Sequence, residues 1–133
     1  MRARLGGVVI RTRTRTETSG ARGLGRLSEP DPHLLEPEFR AWSRALVHAD
    51  DRTVSVSWVR GTELGLHSVT VEYGRNVVRV GTRMGTRPAL YGRSGYVALR
   101  MIVEHTVVRL REPLRGRSIE VQMAEAPVLT RIR

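Results

Sequence analysis

The sequence predicts a mainly β protein, a small antiparallel β-sandwich or partly open barrel of five or six strands with one short N-terminal helix. Three observations support this. A chain of 133 residues is the size of one domain. From Thr53 onward apolar and polar residues alternate, as they do in a strand with one buried face. Short turn sequences containing glycine, asparagine or proline separate these alternating segments.

The first 32 residues are predicted to be a disordered basic arm, and residues 33–133 the single β domain. The arm is rich in Gly, Ser and Pro and poor in large apolar residues, so burial cannot offset the entropy lost on ordering. It contains RTRTRT, in which Arg11, Arg13 and Arg15 would share one face if the segment were extended. Such a row could follow a phosphate backbone, or it could be only a basic tail, and the sequence leaves both open.

A short helix is predicted over about residues 37–47, in EPEFRAWSRALVHADD. Pro37 suits the first turn of a helix, and the glutamates on either side of it suit the positive end of the helix dipole. Phe39, Trp42 and Leu46 then fall on one face at i, i+3 and i+7. We expect the two aromatic rings to close one end of the core.

Strands are predicted between about residues 53 and 123. In order, the segments are TVSVSW, LHSVTVEY, VVRV, YVALRMIVEHTVVRLR and SIEVQM. Residues 74–76 form a short hairpin loop that contains glycine. A long glycine-rich loop, GTRMGTRPALYGRSGY over residues 81–96, is predicted before the fourth segment.

Residues 47–121 resemble the small all-β domain of uncharacterised actinobacterial proteins, many of them secreted or lipid-anchored. TVSVSWVRG, LGLHSVTVEYGRNVVRV and TVVRLREPLRGRSIEV carry the resemblance through their order and spacing, and PLRGR is the most specific piece. The resemblance implies the fold and no established activity. It also implies a cysteine pair, one just after the position of Gly61 and one in the loop before the next strand, but this chain has no cysteine.

Charge and composition limit the partners and the location. The net charge is +10, and all 23 basic residues are arginine. Clustered cations favour a polyanion such as nucleic acid, whereas the complete lack of lysine is typical of coding bias and an arginine-rich surface. Neither a bilayer-spanning segment nor a signal peptide is recognisable. We expect a cytoplasmic protein by default, with secretion left open by the family resemblance.

No pattern of catalytic or metal-binding residues is present, so we expect a non-enzymatic protein without cofactor or metal. Ser94, in GRSG, lacks the spacing of a nucleophile elbow, and the four histidines lack metal-ligand spacing. The sharpest candidate is an anion site in which Arg83, Arg87 and Arg93 converge from the glycine-rich loop. The arginines of the N-terminal arm, Arg11, Arg13 and Arg15, are the other candidates for contacting an anion.

The sequence therefore predicts a β domain with a structural or protein-interaction role. Exposed strand edges would be available for homo-oligomer formation or for a peptide partner. The alternative is a polyanion-binding module that uses the arginines of the arm and of the glycine-rich loop, with nucleic acid as a less favoured partner.

Overall fold

The computed structural model describes residues 8–11, 23–88 and 101–125. These residues contain no α-helix and form nine strands. In chain order the strands are β1 (Val8–Arg11), β2 (Arg26–Leu27), β3 (Leu35–Arg40), β4 (Arg44–Val47), β5 (Thr53–Arg60), β6 (Leu64–Tyr73), β7 (Val77–Thr86), β8 (Ile102–Arg109) and β9 (Ser118–Val121). None of the described residues belongs to a helix long and apolar enough to span a bilayer.

The strands form two sheets, which confirms the mainly β fold class, and they do not make a closed barrel. The first sheet has the order β1-β4-β5-β8-β2, with β1 and β2 parallel to their neighbours and the three central strands antiparallel. In the second sheet β7 pairs with β6 along nearly its whole length. On the other side of β7, β9 pairs with its first half and β3 with its second half.

The core lies between the two sheets. Val54, Val56 and Trp58 alternate along β5 on the face that points to the core, as the two-residue period predicts. Val78 and Val80 of β7 are fully buried in the same cluster. The buried side chains that complete the cluster include Trp42, Leu66, Met84, Leu110, Leu114, Ile119 and Val121.

The predicted helix over residues 37–47 is wrong, because these residues form β3 and β4 with a short connection between them. β3 pairs with β7, and β4 pairs in register with β5. The two aromatic residues of the supposed helical face separate. Trp42 enters the core and donates its indole N–H to Val80 O at 2.8 Å, whereas Phe39 packs on the outer face of the second sheet. Ladder hydrogen bonds and burial override the local helix signals here.

The glycine-rich segment is also corrected in part, because β7 continues through Thr86. Its glycines mark places where other side chains approach the sheet closely. A Cβ at Gly81 would lie 2.6 Å from the Phe39 ring, and one at Gly85 would lie 2.7 Å from Leu34 Cβ. Residues 89–96 of the predicted loop lie outside the described residues.

Parts of the predicted disordered arm join the first sheet at its edges, and the segment around Leu24 covers part of its outer face. β1 and β2 form the two edges of that sheet, and Leu24 is buried with 2% of its surface exposed. Ser57 Oγ donates to Leu24 O at 2.8 Å. Backbone pairing and apolar contact therefore hold these short pieces of a segment whose composition predicts disorder. The prediction for residues 1–7 and 12–22 falls outside the described residues.

One end of the two sheets is closed by the turn at residues 50–52 and the segment 110–117. Asp51 accepts two backbone hydrogen bonds, from Leu114 N to its carbonyl and from Arg115 N to its carboxylate, both at 2.8 Å. Arg52 donates to Leu110 O at 2.7 Å and to Arg111 O at 2.9 Å. The PLRGR turn thus has a structural role, since it carries the fully buried Leu114 into the core.

Asp50 makes the stability of this turn depend on pH. Its carboxylate accepts hydrogen bonds from Thr53 Oγ1 at 2.7 Å, Thr53 N at 2.8 Å and Arg52 N at 3.0 Å. The side-chain bond from Thr53 is the main reason that the pKa of Asp50 falls from 3.8 to about 2. Burial acts against this fall, and the backbone N–H groups of Thr53 and Arg52, with the charge of Arg109, add to it.

Because the pKa of Asp50 is lower in the folded than in the unfolded chain, its carboxylate stabilises the fold at pH values above the unfolded pKa. This contribution is lost as the pH falls through the pKa of the folded state. We expect the protein to lose about 1 kcal/mol of unfolding free energy through Asp50 between roughly pH 4 and pH 2, discounted because the side chain is half exposed. Urea denaturation should show a smaller loss over this interval in Asp50→Asn. An equally steep loss in the variant would contradict the assignment.

Candidate functional site

The second sheet has an open edge along β6. This strand is ten residues long, and β7 is the only strand that pairs with it among the described residues. At its start Asp31 N donates to Leu66 O at 2.9 Å, and a bulge follows at His67. No described backbone pairs with its outer side from Ser68 to Tyr73.

The ladder shows which β6 residues point their backbone groups outward. In an antiparallel pair, hydrogen-bonded and non-hydrogen-bonded residue pairs alternate. Gly74 N donates to Val77 O at 2.7 Å, which fixes the pair nearest the turn as hydrogen-bonded. Counting back along the register, the outward N–H and C=O groups belong to Val69, Val71 and Tyr73. The outward carbonyl of Leu66, before the bulge, agrees with this count.

The side chains of β6 divide between two environments. Val69, Val71 and Tyr73 are half-buried and pack against the core. On the opposite face Thr70 Oγ1 donates to Gln122 Oε1 at 2.7 Å, and Glu72 accepts from Arg79 at 3.2 Å. The residues whose backbone groups point outward are therefore also the residues with half-buried apolar side chains. A strand added at this edge would extend that apolar face.

A cavity of about 370 Å³ lies where β5 ends and β6 begins. Its walls include Trp58 and Arg60 from β5, Leu64 from β6 and Met84 from β7. Arg40 and Glu63 also line it, as does Met101 before β8, which is 70% exposed. The cavity is therefore bounded by both sheets.

Arg60 and Glu104 form a buried ion pair beside this cavity. Their side chains are 2% and 4% exposed, and Arg60 Nε donates to Glu104 Oε1. Arg60 Nη1 also donates to Gly61 O at 3.0 Å, while the exposed Arg26 contacts the second carboxylate oxygen at 3.4 Å. Burial by itself raises the pKa of Glu104, but the hydrogen bond and charge of Arg60, with a smaller effect of Arg26, lower it below its ordinary value.

Trp58 has a buried indole N–H without an acceptor among the described residues. Trp42, which is equally buried at 1% exposure, donates the same group to Val80 O. A buried donor left unpaired costs about 1–3 kcal/mol. Trp58 therefore carries a cost that the equally buried Trp42 avoids.

The predicted anion site is only partly described. Arg83 lies in β7, where its guanidinium sits 5.6 Å from the Phe39 ring centroid and donates to Pro37 O at 3.4 Å. Arg87 follows β7 and donates to Thr62 O at 3.2 Å. The two groups therefore donate to carbonyls of different segments. Arg93, the third member of the predicted site, lies outside the described residues.

The N-terminal candidates are described even less completely. Arg11 is the last residue of β1, and its backbone is in register with Val47. Arg13 and Arg15 lie outside the described residues. The anion-binding role of all these arginines stays a prediction.

Sequence reasoning predicts exposed strand edges without locating one, and it missed the cavity. The edge has no local signal, because pairing depends on where distant strands lie. The ion pair did leave a signal, since Arg60 continues the buried series of Val54, Val56 and Trp58. A charged residue at a buried position of a strand predicts a buried partner of opposite charge.

Comparison with known proteins gives no match to a family model, to a curated protein or to a solved structure. The resemblance to the actinobacterial β domain therefore stays a prediction based on the three quoted segments.

Proposed function

We propose that this chain is a protein-interaction module that binds an extended peptide segment by adding it as a strand to β6. The observation that carries the proposal is the outward row of backbone groups at Val69, Val71 and Tyr73, which no described residue pairs. Unpaired edge groups of this kind are a template for another strand. Main-chain hydrogen bonds would supply affinity, and the alternate side chains would supply selectivity.

The chemistry of the edge indicates which peptides would fit. Alternate residues of an added strand would lie next to Val69 and Val71, so apolar side chains are favoured at those positions. The intervening residues would lie next to Thr70 and Glu72, where polar or basic side chains are favoured. The expected partner is thus an extended segment with alternating apolar and polar residues, supplied by another protein or by a second copy of this chain.

A role in binding rather than catalysis, and a location in the cytoplasm, are part of the same proposal. Both rest on the sequence grounds given above. Polyanion binding is the less favoured alternative, because most described arginine side chains already have internal partners. Arg52 and Arg117, for example, donate to carbonyl oxygens at the closed end of the sheets. Retention on heparin at about 50 mM salt that is lost by about 200 mM would favour the alternative.

Val71→Pro tests the open edge, with Thr70→Pro as its matched control. Proline removes one backbone N–H and is tolerated in a strand where that group does not pair. Val71 N–H points outward, so we expect the variant to fold with a loss of no more than about 1–2 kcal/mol. Thr70 N–H lies in the ladder to β7, so its loss should cost about 3 kcal/mol or more. Chemical denaturation measures both values.

Binding is measured with a displayed library of random octapeptides selected on the intact chain. We expect the selected peptides to show the alternating pattern, to slow amide exchange at Val69 and Val71, and to bind Val71→Pro at least about tenfold more weakly. Peptides that bind both chains equally would contradict the proposal. So would slow amide exchange at Val69 and Val71 in the free protein, because it would show that the edge is already paired.

A further inference from the structure

We propose that two copies of this chain pair through β6 as an antiparallel dimer, with Val71 of one copy opposite Val71 of the other. This inference rests on the proposed strand addition at β6, and it commits that edge to one partner, a second copy of the chain. The second sheets of the two copies would then form one continuous sheet. The unpaired part of β6 carries the inference, because it is complementary to itself when its direction is reversed.

The limits of the free edge fix the register of this pairing. Before Ser68 the edge is interrupted by the bulge and by the backbone contact with Asp31, and after Tyr73 the chain turns. Outward backbone groups remain at Val69, Val71 and Tyr73. A two-fold antiparallel pairing centred on Val71 places Val71 opposite itself and Val69 opposite Tyr73. All three outward residues of each copy then belong to hydrogen-bonded pairs.

The two neighbouring registers satisfy this edge less well. A pairing centred on Thr70 leaves Tyr73 opposite the bulge, so only Val69 and Val71 find partners. A pairing centred on Glu72 places the two Glu72 carboxylates directly opposite each other, which is destabilising. The register centred on Val71 avoids both defects.

The side chains also match in the register centred on Val71. On the core side valine faces valine at the two-fold axis, and Tyr73 faces Val69. Aromatic side chains paired with β-branched ones are among the favourable cross-strand pairs. On the outer face Thr70 lies opposite Glu72, so no like charges meet. The apolar side chains are already half-buried against the core, and a second copy would cover more of their surface.

Sedimentation equilibrium of the intact chain tests the inference at about 0.15 M salt, where the Debye length is about 8 Å and charge repulsion between copies is screened. We expect a reversible equilibrium between the 15.0 kDa chain and a species of twice that mass. The Kd should lie below about 1 mM, in the weak range that suits a short edge contact. Val71→Pro removes the N–H groups at the axis and should weaken the dimer at least about tenfold. The Val69 and Val71 amides should exchange fast in the dilute monomer and slowly in the concentrated dimer.

Thr70→Arg tests the register. It places an arginine opposite Glu72 twice in each dimer, so we expect the Kd to fall about threefold to tenfold, and Thr70→Glu should raise it by a similar factor. Ser118→Arg is the matched control, because it adds the same charge on β9, which pairs with β7 on the side away from β6. It should leave the Kd within about twofold. A weaker dimer in Thr70→Arg would overturn the register, because two arginines meet when the pairing is centred on residue 70.

Failure of this inference can be told from failure of strand addition. A chain that stays monomeric at about 1 mM while octapeptides bind at β6 would overturn the dimer and leave strand addition standing. A dimer that Val71→Pro leaves intact would also overturn the inference, because the copies would then meet elsewhere. If neither octapeptides nor a second copy pair with β6, both proposals fail. If both hold, an octapeptide that binds at β6 should return the dimer to monomers.

Discussion

Replacing Arg60 by methionine is expected to lower the free energy of unfolding by about 3–5 kcal/mol, a large fraction of the stability of a small domain. The substitution keeps most of the side-chain volume and removes the charge. Glu104, with only 4% of its side chain exposed, then keeps just one ion-pair partner among the residues that the structure describes, the exposed Arg26. The expected loss is the cost of leaving a carboxylate buried and nearly unpaired.

Arg79→Met is the matched control for this effect. Arg79 forms the same kind of pair with Glu72, at 3.2 Å, but the two side chains are 40% and 31% exposed. Pairs of this kind contribute about 0–1 kcal/mol. If both variants lost the same amount, burial would not be the cause. Adding Glu104→Met to Arg60→Met should recover much of the stability, because no buried charge is then left unpaired.

The pH dependence gives the sharper test of the same pair. In the parent chain the pKa of Glu104 lies below its ordinary value of 4.5, so its contribution is present above that value and is lost as the pH falls. In Arg60→Met burial dominates and the pKa of Glu104 should rise above 4.5. The variant should therefore gain stability when the pH falls from 7 to 5, while the parent chain should not. Urea denaturation at both pH values decides this.

How much of this structure the sequence could predict depends on the range of the forces involved. Apolar and polar residues alternate clearly in β5, β6, β8 and β9, so the two-residue period of these strands is readable from neighbouring residues alone. In β7 the alternation stops at Val80, and the second half of this strand was not predicted. The helix predicted over residues 37–47 failed because its partners are remote. Leu46 is in register with Ser55, and Phe39 lies against Gly81. No window around Trp42 contains those contacts.

The arginine-rich composition predicts a basic surface, yet several of the described arginines also hold turns of the chain in place. Irregular turns leave carbonyl groups outside the sheet ladders, and a guanidinium can satisfy two of them at once. Arg52 does this for two consecutive carbonyls, and Arg117 donates to Leu114 O and Pro113 O, both at 2.9 Å. Composition gives the number of arginines but not their acceptors, so the sequence could not separate binding from structural roles.

The same limit explains why segments predicted to be disordered can pack against a sheet. Leu24 lies among small and polar residues, so local composition gives no reason for it to be buried. Burial follows from a complementary surface formed by β5 and β8, strands that begin at Thr53 and Ile102, far along the chain from Leu24. The sequence contains no local signal for the packing of residues 23–28 on this surface. A single added Cβ atom, at Gly25, tests it.

Gly25→Ala is expected to release this segment from the first sheet. Gly25 has φ of 84°, and a Cβ there would overlap the carbonyl oxygen of Val103 and lie 2.7 Å from its Cγ1. The backbone of β8 cannot give way, because β5 pairs with it from Thr53 to Arg60. The cheaper response is to detach the segment and lose the burial of Leu24. We expect a loss of about 2–4 kcal/mol, limited by the free energy that holds the segment in place.

Gly116→Ala is the matched control, because it imposes the same backbone strain as Gly25→Ala without the steric clash. Gly116 has nearly the same φ, 83°, but a Cβ there would meet nothing within 4 Å. Its substitution should cost only about 1–2 kcal/mol for a left-handed alanine. Trypsin gives the local readout, since Arg26 lies in β2 and should be cut much faster in Gly25→Ala than in Gly116→Ala. Equal rates of cleavage at Arg26, together with equal losses of stability, would show that the segment does not depend on close approach to β8.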